Sequence, residues 1–300
     1  MNPQYDILVV GGVGIDTIVR VPSLPLAQAD SIHVGPVRDY VAHTGNGVAL
    51  ASLALGRTVK LIDFIGADRQ ADLILARYAE RGLDFSYLVH PSGTRRSVNL
   101  VDPGGRRLSL YDGRHPDDLR MPPAFYLPWL KEAAHVHLSI MPWARALYDD
   151  IAERGVTVST DLHDWDGRAP YYHDFAYRSD LVFMSAASLG ERLEATLRQV
   201  LEHGRASVVV AMAGERGSYA IARADGQLVH SGCAQLGRPI VDSNGAGDAY
   251  VAAFLMGHAQ GLPLPECMRL GAIGGEFACG LEGTAEGFVT RDALLAACAG

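Results

Sequence analysis

Val241-Asp242-Ser243-Asn244-Gly245-Ala246-Gly247-Asp248, continued by Ala249-Tyr250-Val251-Ala252-Ala253-Phe254-Leu255-Met256, is the stretch from which the rest of the chain is read. Gly-Ala-Gly permits a tight turn whose backbone N–H groups all point one way. The Ala-rich apolar run behind it predicts a buried helix. A helix N-terminus leaves its first N–H groups without intrahelical acceptors, and the helix dipole adds to their attraction for an anion. Asp248 falls in the first turn of that helix. From the residues alone, two roles are open to it. It is a carboxylate that takes a proton from a hydroxyl beside an anion hole, or it is an ordinary helix cap.

The run Asp-Ser-Asn-Gly-Ala-Gly-Asp resembles the D-T-x-G-A-G-D signature of the ribokinase-like (PfkB) sugar kinases, with Ser243 in place of the usual Thr. The resemblance extends over nearly the whole chain. It implies an α/β fold, a doubly wound and mostly parallel sheet flanked by helices, with a small β-sheet lid. It implies Asp248 as catalytic base, with Gly245, Ala246 and Gly247 as the anion hole. ATP and Mg2+ are the implied cofactors, and a sugar hydroxyl is the implied acceptor.

Composition agrees with a large globular domain. Three hundred residues suit one core, so residues 1–300 are read as a single domain. The net charge is −8 and no basic run occurs, which argues against a nucleic-acid surface. Cys233, Cys267, Cys279 and Cys298 form no CxxC, so reduced thiols are expected. The N-terminus has no basic region ahead of a signal-length apolar stretch, and no run reaches membrane-spanning length. A soluble, cytoplasmic protein is the expectation, with no membrane partner.

Ile7-Leu8-Val9-Val10 reads as a central parallel strand buried on both faces. Gly12-Val13-Gly14 lacks the third glycine of a dinucleotide fingerprint, and Pro22 and Pro25 stand where its helix would run. Asp16 follows that strand at its carboxyl end, where open α/β sheets place ligands. A carboxylate there can accept two hydroxyl hydrogen bonds; a turn or capping Asp is the plainer alternative. The resemblance implies sugar binding for Asp16.

Short exposed strands are expected at about 17–42, including Ser31-Ile32-His33-Val34, and a hairpin at about 95–112. The hairpin is Ser97–Asp102, a Pro103-Gly104-Gly105 turn, and Arg107–Tyr111. Together these two inserted segments would form the lid, excluding water and favouring transfer to sugar over hydrolysis. Open lid edges would also allow a homodimer. Asp30 lies in the first segment, as a further candidate for holding sugar hydroxyls.

Thr44-Gly45-Asn46-Gly47 begins a second glycine-rich helix, which Gly56 stops. The resembling family has G-G-x-x-x-N-x-A here. In this chain the paired glycines become Ala42-His43, the usual Asn becomes Gly47, and Asn46 stands one place earlier. Gly45, Asn46 and Gly47 are therefore candidate substrate residues with altered geometry. Arg114, after the hairpin, is another: its fork could clamp a phosphate or a sugar oxygen, or it is a solvated surface Arg. The Arg114 neighbourhood resembles the ketohexokinase branch, with an offset of one residue.

Strand and helix alternate through residues 134–140, 156–161, 181–184 and 207–212, which means a parallel sheet with helices on both faces. Met184-Ser185-Ala186-Ala187-Ser188 occupies the place of the family's N-x-x-E, which helps to organise Mg2+, and neither residue is present. Ser185 stands in place of the Asn, as in ketohexokinase, so no protein ligand for the metal is named. Gly214-Glu215-Arg216-Gly217 is a glycine-bounded turn, and a plain hairpin turn is its simplest reading. The resemblance places Gly214, Glu215 and Gly217 along ATP. It also assigns the adenine pocket to Ala278-Cys279-Gly280-Leu281-Glu282-Gly283-Thr284. Asp242 and Ser243 would lie beside a monovalent cation such as K+.

No G-x-x-x-x-G-K-[ST] run exists and the lysines are Lys60 and Lys131, which excludes a P-loop kinase. The alternatives to a sugar kinase are three: a nucleoside kinase of the same fold, a sensor that kept the fold, and a metal-dependent hydrolase. The hydrolase would use His135, His137, Asp161 and His163, with Asp164 and Asp166 as further carboxylates. Neither the sugar nor the oligomeric state can be read from the sequence.

Overall fold

A computed structural model describes residues 3–281, 283 and 285–299. Strand β1 (Ile7–Val10) is buried along its whole length. Gly11 and Gly12, both at positive φ, turn the chain out of it into β2 (Gly14–Arg20), which belongs to a different sheet. There follow β3 (Arg38–Ala42), α1 (Thr44–Ala54), β4 (Val59–Ile65), α2 (Arg69–Arg81) and β5 (Asp84–Val89). The chain returns to the second sheet with β6 (Arg96–Val101) and β7 (Arg107–Asp112). Next come α3 (Pro123–Lys131), β8 (His135–Leu138), α4 (Leu147–Arg154), β9 (Thr157–Asp161), α5 (His173–Arg178) and β10 (Leu181–Ser185). The remainder is α6 (Leu193–His203), β11 (Val208–Met212), β12 (Ser218–Ala222), β13 (Leu228–Ser231), α7 (Ala246–Ala259), α8 (Leu264–Cys279) and α9 (Arg291–Ala299).

Among the described residues the larger sheet has nine strands in the order β13-β12-β11-β10-β9-β8-β1-β4-β5. Its pairs are parallel from β5 to β11; β12 and β13 add antiparallel at one edge. Alternation along β1 divides the core in two. Ile7 and Val9 face Val48 of α1, Ile74 of α2 and Phe254 of α7, whereas Leu8 and Val10 face Tyr126 of α3, Tyr148 of α4 and Phe175 of α5. Each fully buried side chain of this kind contributes about 1.5–3 kcal/mol. Helix α7 is buried from Ala249 to Gly257, as a helix apolar on every face must be.

The smaller sheet has the order β3-β2-β6-β7 and is mixed: β2 pairs parallel with β6, and the two hairpin-like pairs are antiparallel. Two expectations need correction here. The inserted strands begin at Gly14, so Asp16 lies inside this sheet. Ser31–Val34 is not a strand; Pro22, Pro25 and Pro36 remove backbone donors around it, and the connection stays irregular. The expected hairpin at 95–112 is present, its turn held by Asp102, whose Oδ1 accepts from the N–H groups of Gly104 and Arg106 at 3.0 Å each.

The two sheets are tied by a buried ion pair between Arg95, at the start of β6, and Asp63 of β4. Asp63 Oδ2 also accepts from Val13 N (2.8 Å) and Oδ1 from Phe64 N (2.7 Å), while Arg95 Nε donates to Val13 O (3.3 Å). Burial raises the Asp63 carboxyl, and the Arg95 guanidinium with these N–H donors opposes the rise. All four cysteines are free. Among the described residues no helix is long and apolar enough to cross a membrane.

Candidate active site

Gly245 caps α7 in the left-handed conformation (φ 76°, ψ −4°), which glycine adopts without a Cβ penalty. The loop before it is pinned from several sides. Asp242 Oδ1 accepts from Asn244 N (3.0 Å) and Nδ2 (2.8 Å). Val241 N and Asp242 N both donate to Cys279 O, at 2.8 and 3.1 Å. Two arginines reach across from the smaller sheet: Arg20 Nη2 donates to Asp242 Oδ2 (3.2 Å) and Arg107 Nη1 to Asn244 Oδ1 (2.6 Å). The carboxylate of Asp242 is thus engaged on both oxygens by protein donors. These bonds fix the orientation of the Asp242 carboxylate at the start of the loop.

Helix α1 meets α7 through its glycines. A Cβ on Gly45 would stand 1.8 Å from Gly11 O, and a Cβ on Gly47 would stand 2.0 Å from Asp248 Oδ2. Both positions therefore lie in the first turns of α1 as contact surfaces, with backbone against β1's exit loop and against the Asp248 carboxylate. Asn46 is fully buried; its N–H donates to Gly12 O (3.0 Å) and its Nδ2 to Val41 O (3.1 Å). Its Nδ2 is thus turned to the backbone of β3, while its buried Oδ1 has no protein partner.

Three carboxylates converge. Asp16 comes from β2 and Asp161 from the end of β9. Both lie close enough to Asp248 for their charges to act on it. The Asp248 carboxyl is pushed well above the ordinary carboxylate range, by burial first and then by Asp161 and Asp16. A raised carboxyl is a stronger base once ionised, which suits proton abstraction near neutral pH. Asp161 Oδ1 accepts from His163 N (2.9 Å), and His163 Nε2 lies 3.0 Å from Thr44 Oγ1 at the start of α1.

The hydrolase set does not assemble. His135 Nε2 and His137 Nδ1 both lie on Ser159 Oγ, at 2.7 and 2.9 Å, inside the sheet. Burial holds His137 down to about 3 and His135 well below the usual imidazole range. Among the described residues no group of three or more His, Cys, Asp or Glu side chains could hold a metal ion. Asp166 caps a local turn through Arg168 N and Ala169 N.

On the other side of α7, Met212 at the end of β11 lies 3.6 Å from where a Gly247 Cβ would be, and Ser185 pairs in register with Met212. The turn Gly214–Gly217 is the hairpin between β11 and β12, and Gly217 (φ 79°) has Ser231 O 2.0 Å from its Cβ position. Glu215 on that turn is exposed. Gly280 follows α8, beside the Arg238 guanidinium, which stacks 3.9 Å over Phe277. Ser185, Gly217 and Gly247 thus gather around the end of β11. Glu282 and Thr284 lie outside the described residues.

Two substrate candidates are placed elsewhere. Asp30 is exposed on the β2–β3 connection. Arg114 Nε donates to Asp112 Oδ2 (2.7 Å) and its guanidinium rests by Gly93, near Asp68. Ring contact with the α1 start comes instead from Tyr111, whose ring centroid is 5.7 Å from that of His43. Sequence reasoning passed over His43, Arg20, Arg107 and the Asp63–Arg95 pair. His43 did leave a signal, since it occupies a glycine position of the resembling pattern. The others are contacts between residues far apart in the chain. Lys60 sits under Trp129 (3.8 Å) on Asp84 (2.6 Å), so it serves the core and no phosphate.

The family model described as "pfkB family carbohydrate kinase" matches residues 4–291. The acarbose 7(IV)-phosphotransferase of an Actinoplanes species is 42% identical over 296 residues, 98% of this chain and 99% of that protein. The ketohexokinase of Mus musculus is 26% identical over 93% of this chain and 98% of that protein. Among solved structures, the microbiome-derived acarbose kinase Mak1 superposes with a TM-score of 0.91 at 47% identity, covering 99% of this chain and 100% of that one. With the family model matching nearly the whole chain and a relative 42% identical over essentially its full length, the chain belongs to the pfkB family of carbohydrate kinases.

Proposed function

We propose that this kinase moves the γ-phosphoryl group of ATP to a primary hydroxyl of acarbose or a closely similar pseudo-oligosaccharide. The acceptor rests on the relatives that carry that activity in their names, at 42% and 47% identity over essentially full length. The observation that carries the mechanism is the position of Asp248, in the first turn of α7 beside the backbone N–H groups of the helix start, with its carboxyl raised by burial and by Asp161 and Asp16.

In this reading Asp248 accepts the acceptor's hydroxyl proton as the oxygen attacks in line. The N–H groups of Gly245, Ala246 and Gly247 hold negative charge on the transferring group. Asp16 accepts hydrogen bonds from neighbouring acceptor hydroxyls. Ser185, Gly214, Gly217 and Gly280 line the nucleotide side, where close backbone approach suits a flat base and phosphates. With no protein cage for a metal among the described residues, magnesium fits as the ion carried by the nucleotide phosphates, where it would neutralise charge. The smaller sheet acts as a lid, and the Arg20–Asp242 and Arg107–Asn244 bonds join it to the loop ahead of α7. The edge strand β7 is exposed along its whole length, with Leu108 and Leu110 on one face, which favours a dimer paired through this sheet. The cytoplasm, where ATP is held, is the proposed compartment.

The test is ADP release from Mg·ATP with acarbose, against D-fructose, D-ribose and adenosine, followed by mass analysis of the product. A phosphorylated acarbose, absent with Asp248→Asn, supports the reading. Turnover of adenosine or ribose alone would replace the acceptor, and equal kcat in the variant would remove Asp248 as base.

A further inference from the structure

We propose that His43 is a specificity-determining residue for the acceptor: its imidazole holds one oxygen of Asp16 and, with the ring of Tyr111, makes an aromatic wall suited to the C–H face of a six-membered polyhydroxy ring. The proposal rests on the kinase reading above.

The backbone is the first observation. His43 has φ 73° and ψ 160°, close to a region that belongs to glycine. A residue with a side chain persists there only when its surroundings over-determine it, and such residues gather at ligand sites and switches. The surroundings of His43 are specific. Its Nε2 lies 3.3 Å from Asp16 Oδ1 and 3.3 Å from Ser97 Oγ. Its ring meets Tyr111 at 53°. Asp16, Ser97 and Tyr111 come from β2, β6 and β7, three strands of the smaller sheet. Gly14, on β2, leaves the room, since a Cβ there would fall 2.2 Å from His43 Cε1. One side chain, attached to the first residue before α1, thus grips the smaller sheet from three strands at once.

The second observation is what this does to Asp16. Asp16 is buried, with 9% of its surface exposed. A carboxylate with both oxygens open can accept from two vicinal hydroxyls; here the imidazole stands against Oδ1 at 3.3 Å and so biases which oxygen is offered to the acceptor. Tyr111 by contrast is 57% exposed, so its ring offers apolar surface to a sugar face next to that carboxylate. A glycine at 43 would remove that bias and open a hollow where the imidazole stands. His43 therefore acts on the acceptor through Asp16, by position, and takes no proton in the reaction.

The experiment compares steady-state kinetics of wild type, His43→Gly and His43→Asn. Glycine suits the backbone, so the thermal midpoint of His43→Gly is expected at or above that of wild type, which separates the result from misfolding. Asparagine tolerates positive φ and keeps an N–H donor. The expected result is a rise of about tenfold or more in KM for acarbose in His43→Gly, from loss of the imidazole side of the aromatic wall and of its hold on the orientation of Asp16. KM for ATP should move less than twofold, D-fructose should gain relative to acarbose in kcat/KM, and His43→Asn should recover most of the loss. An unchanged acceptor KM in His43→Gly, or an equal rise for ATP and acceptor, would overturn the role. If wild type prefers another acceptor of the panel, the proposed acceptor fails, and the KM of His43→Gly for that acceptor still decides the role of His43 by the same criteria.

Discussion

The carboxylate of Asp248 rests on the backbone of Gly47: a Cβ at Gly47 would lie 2.0 Å from Oδ2 and 2.6 Å from the Asp248 Cβ itself. The two residues are on different helices, α7 and α1, and a side chain at Gly47 has nowhere to go without moving one of them. Position 47 is therefore expected to be sensitive to a single methyl group. Gly47→Ala should lower kcat by about 100-fold, the effect of displacing a reacting group by an ångström or so. Wild-type kcat in this variant would show that the carboxylate adapts by rotating.

Removing the proposed base directly should cost more. Loss of a positioned base lowers the rate by ~10²–10⁴-fold, so Asp248→Asn should lose that much kcat while its affinity for ATP, measured by calorimetry, stays near wild type. The same variant is expected to be more stable at pH 7. The Asp248 carboxyl is raised in the folded state, so the folded protein binds the proton more tightly than the unfolded one. Stability then falls as pH rises from the unfolded value toward the folded one, and an uncharged Asn escapes that loss. Thermal midpoints at neutral pH check it.

Asp161 should set the pH dependence of the reaction. As the proposed base Asp248 would work ionised, and the Asp161 charge is the first electrostatic cause, after burial, of its raised carboxyl. Asp161→Asn is expected to lower that carboxyl and move the acid limb of kcat/KM to lower pH. A limb that stays in place would assign the rise to burial and Asp16.

The Asp63–Arg95 pair should dominate stability between the sheets. Arg95 is 1% exposed and Asp63 is fully buried. Arg95→Ala leaves a buried carboxylate uncompensated, and such losses amount to about 3–5 kcal/mol. Urea denaturation measures it; a loss under 1 kcal/mol would mean that the Asp63 charge is neutralised or reached by water.

Acid should destabilise the protein through His137, which is buried, and His115, which is partly so. His137 is held down to about 3 and His115 to about 4, from an unperturbed 6.5. The unfolded chain therefore takes up protons that the folded one refuses. This contribution to stability is present above pH 6.5 and is lost as pH falls from there toward the folded values. The thermal midpoint should drop between pH 7 and pH 5, and His137→Gln should flatten that drop.

Much of the fold was legible because buried parallel strands leave continuous apolar runs. Ile7–Val10, the run ending at Ile65, and the strands at 157–161, 181–185 and 208–212 all stand where such runs predict them. The hairpin at 96–112 was legible from its Pro-Gly-Gly turn. Ser31–Val34 misled because alternation over four residues, between prolines, has no partner strand in the structure. β12 and β13 went unread because Ser218–Ala222 mixes small and polar residues at an edge, where one face carries little apolar demand.

The sequence by itself determined the alternation of strand and helix, the glycine-capped start of α7 and the chemistry available to Asp248, because each depends on neighbours along the chain: hydrophobic period, turn residues and helix-end N–H groups. The tertiary structure alone decided which charges act on that carboxylate, which glycines lie under it, and that His43 holds Asp16. Those contacts join residues tens to hundreds of positions apart, such as Gly47 with Asp248 and Arg20 with Asp242. No local pattern encodes a distance that only the packing of α1 on α7, and of one sheet on the other, brings about.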